Sequence, residues 1–312
     1  MSRPLPTSGL LILALLAGHA CAQTGQPIAK LYQLTVAVDE AILTFHAADA
    51  HGLPVNDLKL DELRLRDNGR PPAKILSLQL LQDFPIRAGV LIDTSKSMEP
   101  SLPHNRATSI QYAQQLLRQK TDQAFVMDFG YISRLVQPWT SDPAALTAAI
   151  RSTTAGRQNP LGGTALFDTL FRACFNEFGK VDHAASGNFI LLFSDGEDNA
   201  SHIAISQVVD ICQRSNTAIY AFRPEPIAGS SGPSTLSELT SQTGGRLFFD
   251  DSSDAEIKTS LRTIEADLRN QYRLVYKPAE LKHDSSFHRI ELHLPDRVDS
   301  TNLRSGYYDL PH

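Results

Sequence analysis

Two wholly apolar runs, each ending abruptly in carboxylates, constrain this chain more than any other feature. Val90-Leu91-Ile92 leads into Asp93-Thr94-Ser95-Lys96-Ser97. Phe189-Ile190-Leu191-Leu192-Phe193 leads into Ser194-Asp195-Gly196-Glu197-Asp198. A short run without polar alternation reads as a strand buried on both faces, which is the habit of parallel sheets covered by helices. Open sheets of that kind hold their ligands outside the carboxyl ends of the strands. Carboxylates and hydroxyls placed there are hard oxygen donors, suited to Mg²⁺ or Ca²⁺ rather than to zinc or copper.

The rest of the chain supplies the other parts of such a sheet. Strand candidates are Ala88 to Ile92, Gln123 to Phe129, Leu135 to Trp139, Phe189 to Phe193, Ala218 to Phe222 and Arg246 to Phe249. Helical spacing links Ile110, Ala113, Leu116 and Leu117, and again Leu146, Ala149 and Ile150. Ser141-Asp142-Pro143 caps and opens the second of these helices. The short link from Phe129 to Leu135 predicts an antiparallel edge hairpin. The expected fold class is α/β, with a doubly wound, mainly parallel sheet.

On either side the pattern is β. Leu34 to Val38, Ala41 to Phe45 and Lys74 to Leu80 precede the alternating region; Tyr272 to Tyr276, His288 to Leu294 and Leu303 to Tyr308 follow it. Each half is too small to bury a core alone, so the two are expected to pair into one small flanking β module. The organisation expected is a signal peptide at 1–22, an N-terminal β segment at 23–84, the α/β domain at 85–268 and a C-terminal β segment at 269–312.

Arg3, the apolar run Leu10 to Ala17 and Ala20-Cys21-Ala22 form a charged, an apolar and a small-x-small region, which predicts export with cleavage before Gln23. The alternative is a lipid-anchored Cys21, but Gly18 stands where a lipobox carries leucine. No later run approaches the roughly 20 apolar residues that a membrane-spanning helix needs. A net charge of -5, without a dense Lys/Arg cluster, argues against a nucleic-acid partner. Cys174 and Cys212 both lie on apolar stripes and read as buried core thiols; a disulfide between them is permitted in an exported protein.

Gly162-Gly163-Thr164 precedes the helix between the two apolar strands, so Thr164 can join Asp93, Ser95, Ser97 and Asp195 if three loops converge on one sheet edge. Each piece also has a plain reading: Ser97 or Thr164 as a helix cap, Asp195-Gly196 as a turn. Together, Asp93-Thr94-Ser95-Lys96-Ser97, Gly163 to Asp168 and Leu192 to Asn199 resemble the von Willebrand factor type A domain and its metal-ion-dependent adhesion site (MIDAS). Thr243 to Phe249 is similar to the late glycine turn and strand of that domain. The flanking Asn68 to Pro71, Gln271 to Tyr276 and Arg304 to Tyr308 are similar to exported VWFA-related proteins of acidobacteria.

The resemblance implies that Asp93, Ser95, Ser97, Thr164 and Asp195 hold Mg²⁺, or Mn²⁺ or Ca²⁺, and that a protein partner presents a carboxylate to it. Glu197 and Asp198 are expected behind that set or facing solvent. The expected role is a cation-dependent, adhesion-type binding module, exported and non-enzymatic. A metal-dependent hydrolase is the alternative, although the sequence lacks a phosphate loop, a His-Glu-x-x-His helix and a Gly-x-Ser-x-Gly elbow. A structural envelope protein with a vestigial site is a third reading.

Overall fold

The computed structural model describes residues 40–82, 85–118, 120–155, 162–180, 187–224, 231–249 and 254–309. Three strands come first: β1 (Ala41–Ala48), β2 (Arg64–Asp67) and β3 (Lys74–Gln82). Next come β4 (Ile86–Asp93), α1 (Leu102–Leu116), β5 (Gln123–Phe129), β6 (Ser133–Thr140), α2 (Pro143–Ser152) and α3 (Leu166–Arg172). They are followed by β7 (Gly187–Phe193), α4 (Ile205–Arg214), β8 (Thr217–Arg223), α5 (Gly232–Thr243), β9 (Leu247–Phe249) and α6 (Asp254–Arg269). The last strands are β10 (Asn270–Lys277), β11 (Phe287–His293), β12 (Ser300–Asn302) and β13 (Gly306–Tyr308).

The central sheet has the order β6-β5-β4-β7-β8-β9. All its pairings are parallel except the β5–β6 hairpin. This is the doubly wound α/β sheet that the sequence predicts. The apolar runs are continuous because helices cover both faces. Val90 and Ile92 face a core built with α1, α2 and α6, while Leu91 faces one built with α3, α4 and α5. Gly89 lacks a side chain for a reason: a Cβ there would lie 2.6 Å from the Phe125 ring.

The chain leaves β4 on one side for β5 and β6, then returns to the other side for β7. The topological switch therefore lies between β4 and β7, and sheets of this kind hold their ligands at the carboxyl ends of the strands beside such a switch. A buried ion pair braces the opposite edge. Asp122 accepts from Arg269 Nη2 at 2.7 Å and from the Ile86 and Arg118 amides at 3.0 Å each.

The strands outside the alternating region combine. β10 runs antiparallel between β1 and β3, with β12 on the far side of β1, and β11 lies between β2 and β13. Leu43, Phe45, Leu65, Leu274, Tyr276 and Ile290 share the core these sheets enclose. A single carboxylate ties three of the four C-terminal strands, β10, β11 and β13, to β2. Asp67 accepts from the hydroxyls of Tyr276 and Tyr307 at 2.8 Å each, and His288 Nδ1 lies 2.6 Å from it.

Several expectations need correction or fall outside the description. The strand read at Leu34 to Val38, the cleavage site and Cys21 lie outside the described residues. Cys174 and Cys212 are not free thiols: they form a disulfide with Cα atoms 5.1 Å apart, joining the π-helical continuation of α3 to α4. The last strand begins at Gly306 rather than Leu303, and neither β2 nor β12 is among the strands that the sequence predicts.

Candidate metal centre

β4 ends where Asp93 turns its side chain on its own backbone. Oδ1 accepts from the Ser95 amide at 2.9 Å, the local competition with a ladder through which aspartate terminates strands. Oδ2 accepts from Ser194 Oγ at 2.7 Å, which links the ends of β4 and β7. Beyond it Ser95 Oγ lies 3.2 Å from Ser97 Oγ, at the start of a 3₁₀ turn (Lys96–Met98) anchored by buried Met98. Thr94 fixes this loop laterally, donating from its amide and its hydroxyl to the Phe129 carbonyl at 2.6 and 2.8 Å.

The loop before α3 reaches the same place through Gly130, just past β5. A Cβ on Gly130 would lie 3.7 Å from both the Ser95 amide and the Gly163 carbonyl, and its own carbonyl accepts from the Ala165 amide at 2.7 Å. Thr164 is buried there. Its amide donates to Asn199 Oδ1 at 2.8 Å, and its carbonyl accepts from the amides of Asn199 and Ala200 at 3.1 Å each. Thr164 does not cap α3, whose N-cap position belongs to Ala165, and Ser97 does not cap α1, whose N-cap position belongs to Ser101. Asp195 is half-buried, one residue past Ser194, and Oδ1 accepts from the Glu197 amide at 3.1 Å. All five residues named from the sequence therefore sit on three loops that meet at the switch between β4 and β7.

The electrostatics of Asp93 are unusual. Its side chain is fully buried, and burial pushes its carboxyl up to about 7. Hydrogen bonds from Ser95 and Ser194 oppose that rise, and the charge of Asp195 adds to it. Neither Asp93 nor Asp195 meets a Lys, Arg or His among the described residues. Two neighbouring acids, one of them dry, with three hydroxyls and no basic partner are what a divalent cation compensates. The donor set, hard, oxygen-only and with few charges, suits an ion that keeps some of its waters. Among the described residues no group of three or more His, Cys, Asp and Glu side chains is placed to hold a metal, so the chemistry would have to be of this mixed kind.

A further ring of acids holds the loops. Asp198 Oδ2 accepts from the Phe167 amide at 2.9 Å, in the first turn of α3. Glu197 accepts from the Gly232 amide at 3.0 Å and from Ser231 Oγ at 2.9 Å, capping α5. Both are committed to helix starts, so neither is simply facing solvent. Asp168 accepts from the His202 and Ile203 amides at 2.9 Å each. Burial raises its carboxyl, but these bonds and the His202 ring outweigh it and hold Asp168 below its ordinary value. Sequence reasoning missed Ser194, Asn199, Asp168 and Gly130. Ser194, Asn199 and Asp168 lie inside the segments that resemble the adhesion site and carry a signal. Gly130 carried none, because its role is space rather than chemistry.

Tyr131 and Ile132, at the β5–β6 turn, are large apolar side chains left exposed, and Tyr131 lies against Gly163. They flank the edge that carries the five donors.

Residues 90–197 match the model of the von Willebrand factor type A domain. No curated protein sequence matches significantly. Among solved structures, the conserved hypothetical protein BatB from Bacteroides thetaiotaomicron aligns with a TM-score of 0.47 at 15% identity, covering 57% of this chain and 97% of that one. A von Willebrand factor type A protein from Catenulispora acidiphila gives 0.46 at 14% identity, over 87% of this chain and 72% of that one. Proximal thread matrix protein 1 of the mussel byssus, solved with a zinc-occupied MIDAS motif, gives 0.46 at 16% identity, over 60% and 48%.

Proposed function

We propose that the α/β domain, residues 85–268, is a divalent-cation-dependent protein-binding module that works outside the cytoplasm. Asp93, Ser95, Ser97, Thr164 and Asp195 would hold Mg²⁺, or Mn²⁺ or Ca²⁺, and a carboxylate on the partner would complete the coordination. When bound, the cation supplies a localised positive charge at the sheet edge with an exchangeable position. The chain's own residues do the rest. Asp93 and Asp195 give the negative charge, the three hydroxyls add oxygens without charge, and Thr94, Asn199 and Asp198 keep the loops in place beforehand.

The observation that carries this reading is the buried Asp93 carboxyl, without a basic partner and linked through Ser194 to the loop of Asp195. Attraction between a carboxylate and such a charge is about 1 kcal/mol at about 4 Å in water and about 4 kcal/mol in partly dry surroundings. Protein contacts must therefore supply most of the affinity, and exposed Tyr131 and Ile132 stand beside the site to make them. Export is supported by the signal-like sequence before Gln23 and by the Cys174–Cys212 bridge, since disulfides persist in oxidising compartments.

The test is calorimetric titration of Mg²⁺ into wild type and Asp93→Ala, joined to capture of partners from an envelope extract with Mg²⁺ or EDTA. Saturable binding and capture that both need Asp93 and the cation support the reading. No divalent binding at millimolar concentration, or capture unchanged by EDTA, refutes it.

A further inference from the structure

Arg304 opens the segment Arg304 to Tyr308 that the sequence singles out, and the cation site makes no use of it. It lies in the loop before β13, close to the residues that open β7 and β8. Its guanidinium bridges two parts of the molecule. Nη1 donates to the Gln213 carbonyl in the last turn of α4 at 3.1 Å, and Nη2 to the Ile42 carbonyl of β1 at 2.8 Å. Nε is shut off from solvent and has no hydrogen-bond partner. The loop itself is held from both sides. Gln213 Nε2 donates to Ser305 Oγ at 2.9 Å, and a Cβ on Gly244 would lie 3.3 Å from the Arg304 amide nitrogen.

What the guanidinium lacks is a counter-charge. Both its acceptors are neutral carbonyls, and among the described residues no carboxylate lies within ion-pair distance of it. Arginine keeps its proton, so this charge cannot be shed as a buried carboxyl sheds its own. Burial nevertheless holds the guanidinium below its ordinary value, which marks a cation short of compensation. The negative end of the α4 dipole supplies about half a charge. Buried charges are as a rule paired in full.

Arg304 lines a polar cavity of about 40 Å³, together with Thr44, His46, Asn188, Asn216 and Asp267. Asp267 does not answer Arg304, because it is already committed. Arg246 reaches it through Nε at 3.0 Å and Nη2 at 3.4 Å, and His46 Nε2 lies 3.6 Å from it. Two arginines and one aspartate leave one positive charge over, before His46 is counted. One water needs about 10–15 Å³, so the cavity has room for a monatomic ion with a water or two beside it. We propose that this cavity is a halide site, in which one chloride ion sits against Arg304 and balances its charge.

Water in the same space solvates the guanidinium but leaves the charge uncompensated. A single surplus charge calls for a monovalent ion, and the walls offer it Arg304 and neutral amide and hydroxyl groups. The ion serves the seam between the α/β domain and the flanking β module, because Arg304 ties α4 of the one to β1 of the other. Asn188 and Thr217 stand at the amino ends of β7 and β8, whereas Asp93 closes β4 and Asp195 follows β7. The halide and the divalent cation therefore occupy opposite edges of the central sheet and act on different parts of the molecule.

The experiment is urea denaturation of the full chain in EDTA at fixed pH and ionic strength, with gluconate replaced stepwise by chloride. Below the dissociation constant the midpoint should stay constant, and above it each tenfold rise in chloride should add an equal step. Arg304→Gln keeps a hydrogen-bonding side chain without the charge and should lose that dependence. Diffraction from bromide-soaked crystals of wild type should show an anomalous peak beside Arg304. A wild-type midpoint that is the same in gluconate and chloride overturns the proposal, and so does a cavity that holds water without an anomalous signal. A bromide peak without any effect of chloride on the midpoint marks an adventitious ion only and overturns it equally. If Arg304→Gln fails to fold, the wild-type midpoint and the bromide peak decide together.

Discussion

Replacing Asp93 by asparagine should stabilise the cation-free protein. The buried carboxyl titrates near 7 instead of its ordinary 3.8, so the folded state holds a proton that the unfolded state has released across that interval. Stability contributed by this group is therefore present below about pH 4 and lost as pH rises to about 7. A shift of about three units at about 1.4 kcal/mol each makes the cost about 4 kcal/mol at pH 8. Asparagine removes the charge and keeps the shape. Its oxygen can still accept from the Ser95 amide, but its amide nitrogen faces Ser194 Oγ, which now donates to Asp93 and accepts from the Gly196 amide. That mismatch costs about 1 kcal/mol, leaving a net gain of about 3 kcal/mol.

The assay is urea denaturation of both proteins in EDTA between pH 5 and pH 8. The difference in favour of Asp93→Asn should widen as pH rises. Mg²⁺ at a hundredfold excess over its dissociation constant should close most of that gap, because wild type gains about 2.7 kcal/mol from the ion. A difference that does not change with pH, or a variant less stable than wild type at pH 8 in EDTA, would refute the account of Asp93 as a carboxyl strained by burial.

Three further outcomes follow from other parts of the molecule. Mg²⁺ at a hundredfold excess over its dissociation constant should stabilise wild type by about 2.7 kcal/mol, and Asp93→Ala should abolish the shift, read as melting temperature by calorimetry. The Cys174–Cys212 bridge closes a loop with a sequence separation of 38, so Cys174→Ser with Cys212→Ser should cost about 2–4 kcal/mol in denaturant midpoint analysis. Arg269→Leu leaves Asp122 buried without its cation and should cost about 3–5 kcal/mol, read in the same assay, with the double replacement of Asp122 and Arg269 by apolar residues recovering much of it.

How far the sequence reaches is visible in particular elements. β5 is legible to the residue, and β4, β7 and β8 to within two residues at either end, because a strand buried on both faces announces itself by unbroken apolarity. The hairpin partner β6 was legible from the shortness of its link. β12, three residues of Ser-Thr-Asn, has no apolar pattern and forms only because the end of β1 offers it a partner. The disulfide stayed open because sequence carries no Cα separation, and 5.1 Å exists only after α3 and α4 have packed on the same sheet face.

The candidate site divides along the same line. Asp93, Ser95, Ser97, Thr164 and Asp195 were nameable because chemistry selects their types, while the groups that hold them were not. Thr164 shows why. As a residue before a helix it looked like a cap, yet the capping falls to Asp198 on the Phe167 amide, thirty-one positions away in sequence. Asn199 next to it takes the Thr164 amide, and the Thr164 carbonyl takes two amides in return. Thr164 thus spends its backbone on the loop after β7 and is freed from capping α3. The loops of Thr164 and Asp195 are consequently joined through 198 and 199 whether or not an ion is present, and the Asp93 loop is joined to them through Ser194 and Gly130. A site assembled by protein hydrogen bonds in advance loses little order on binding a cation, so the ion's free energy goes to holding a ligand rather than to folding the loops.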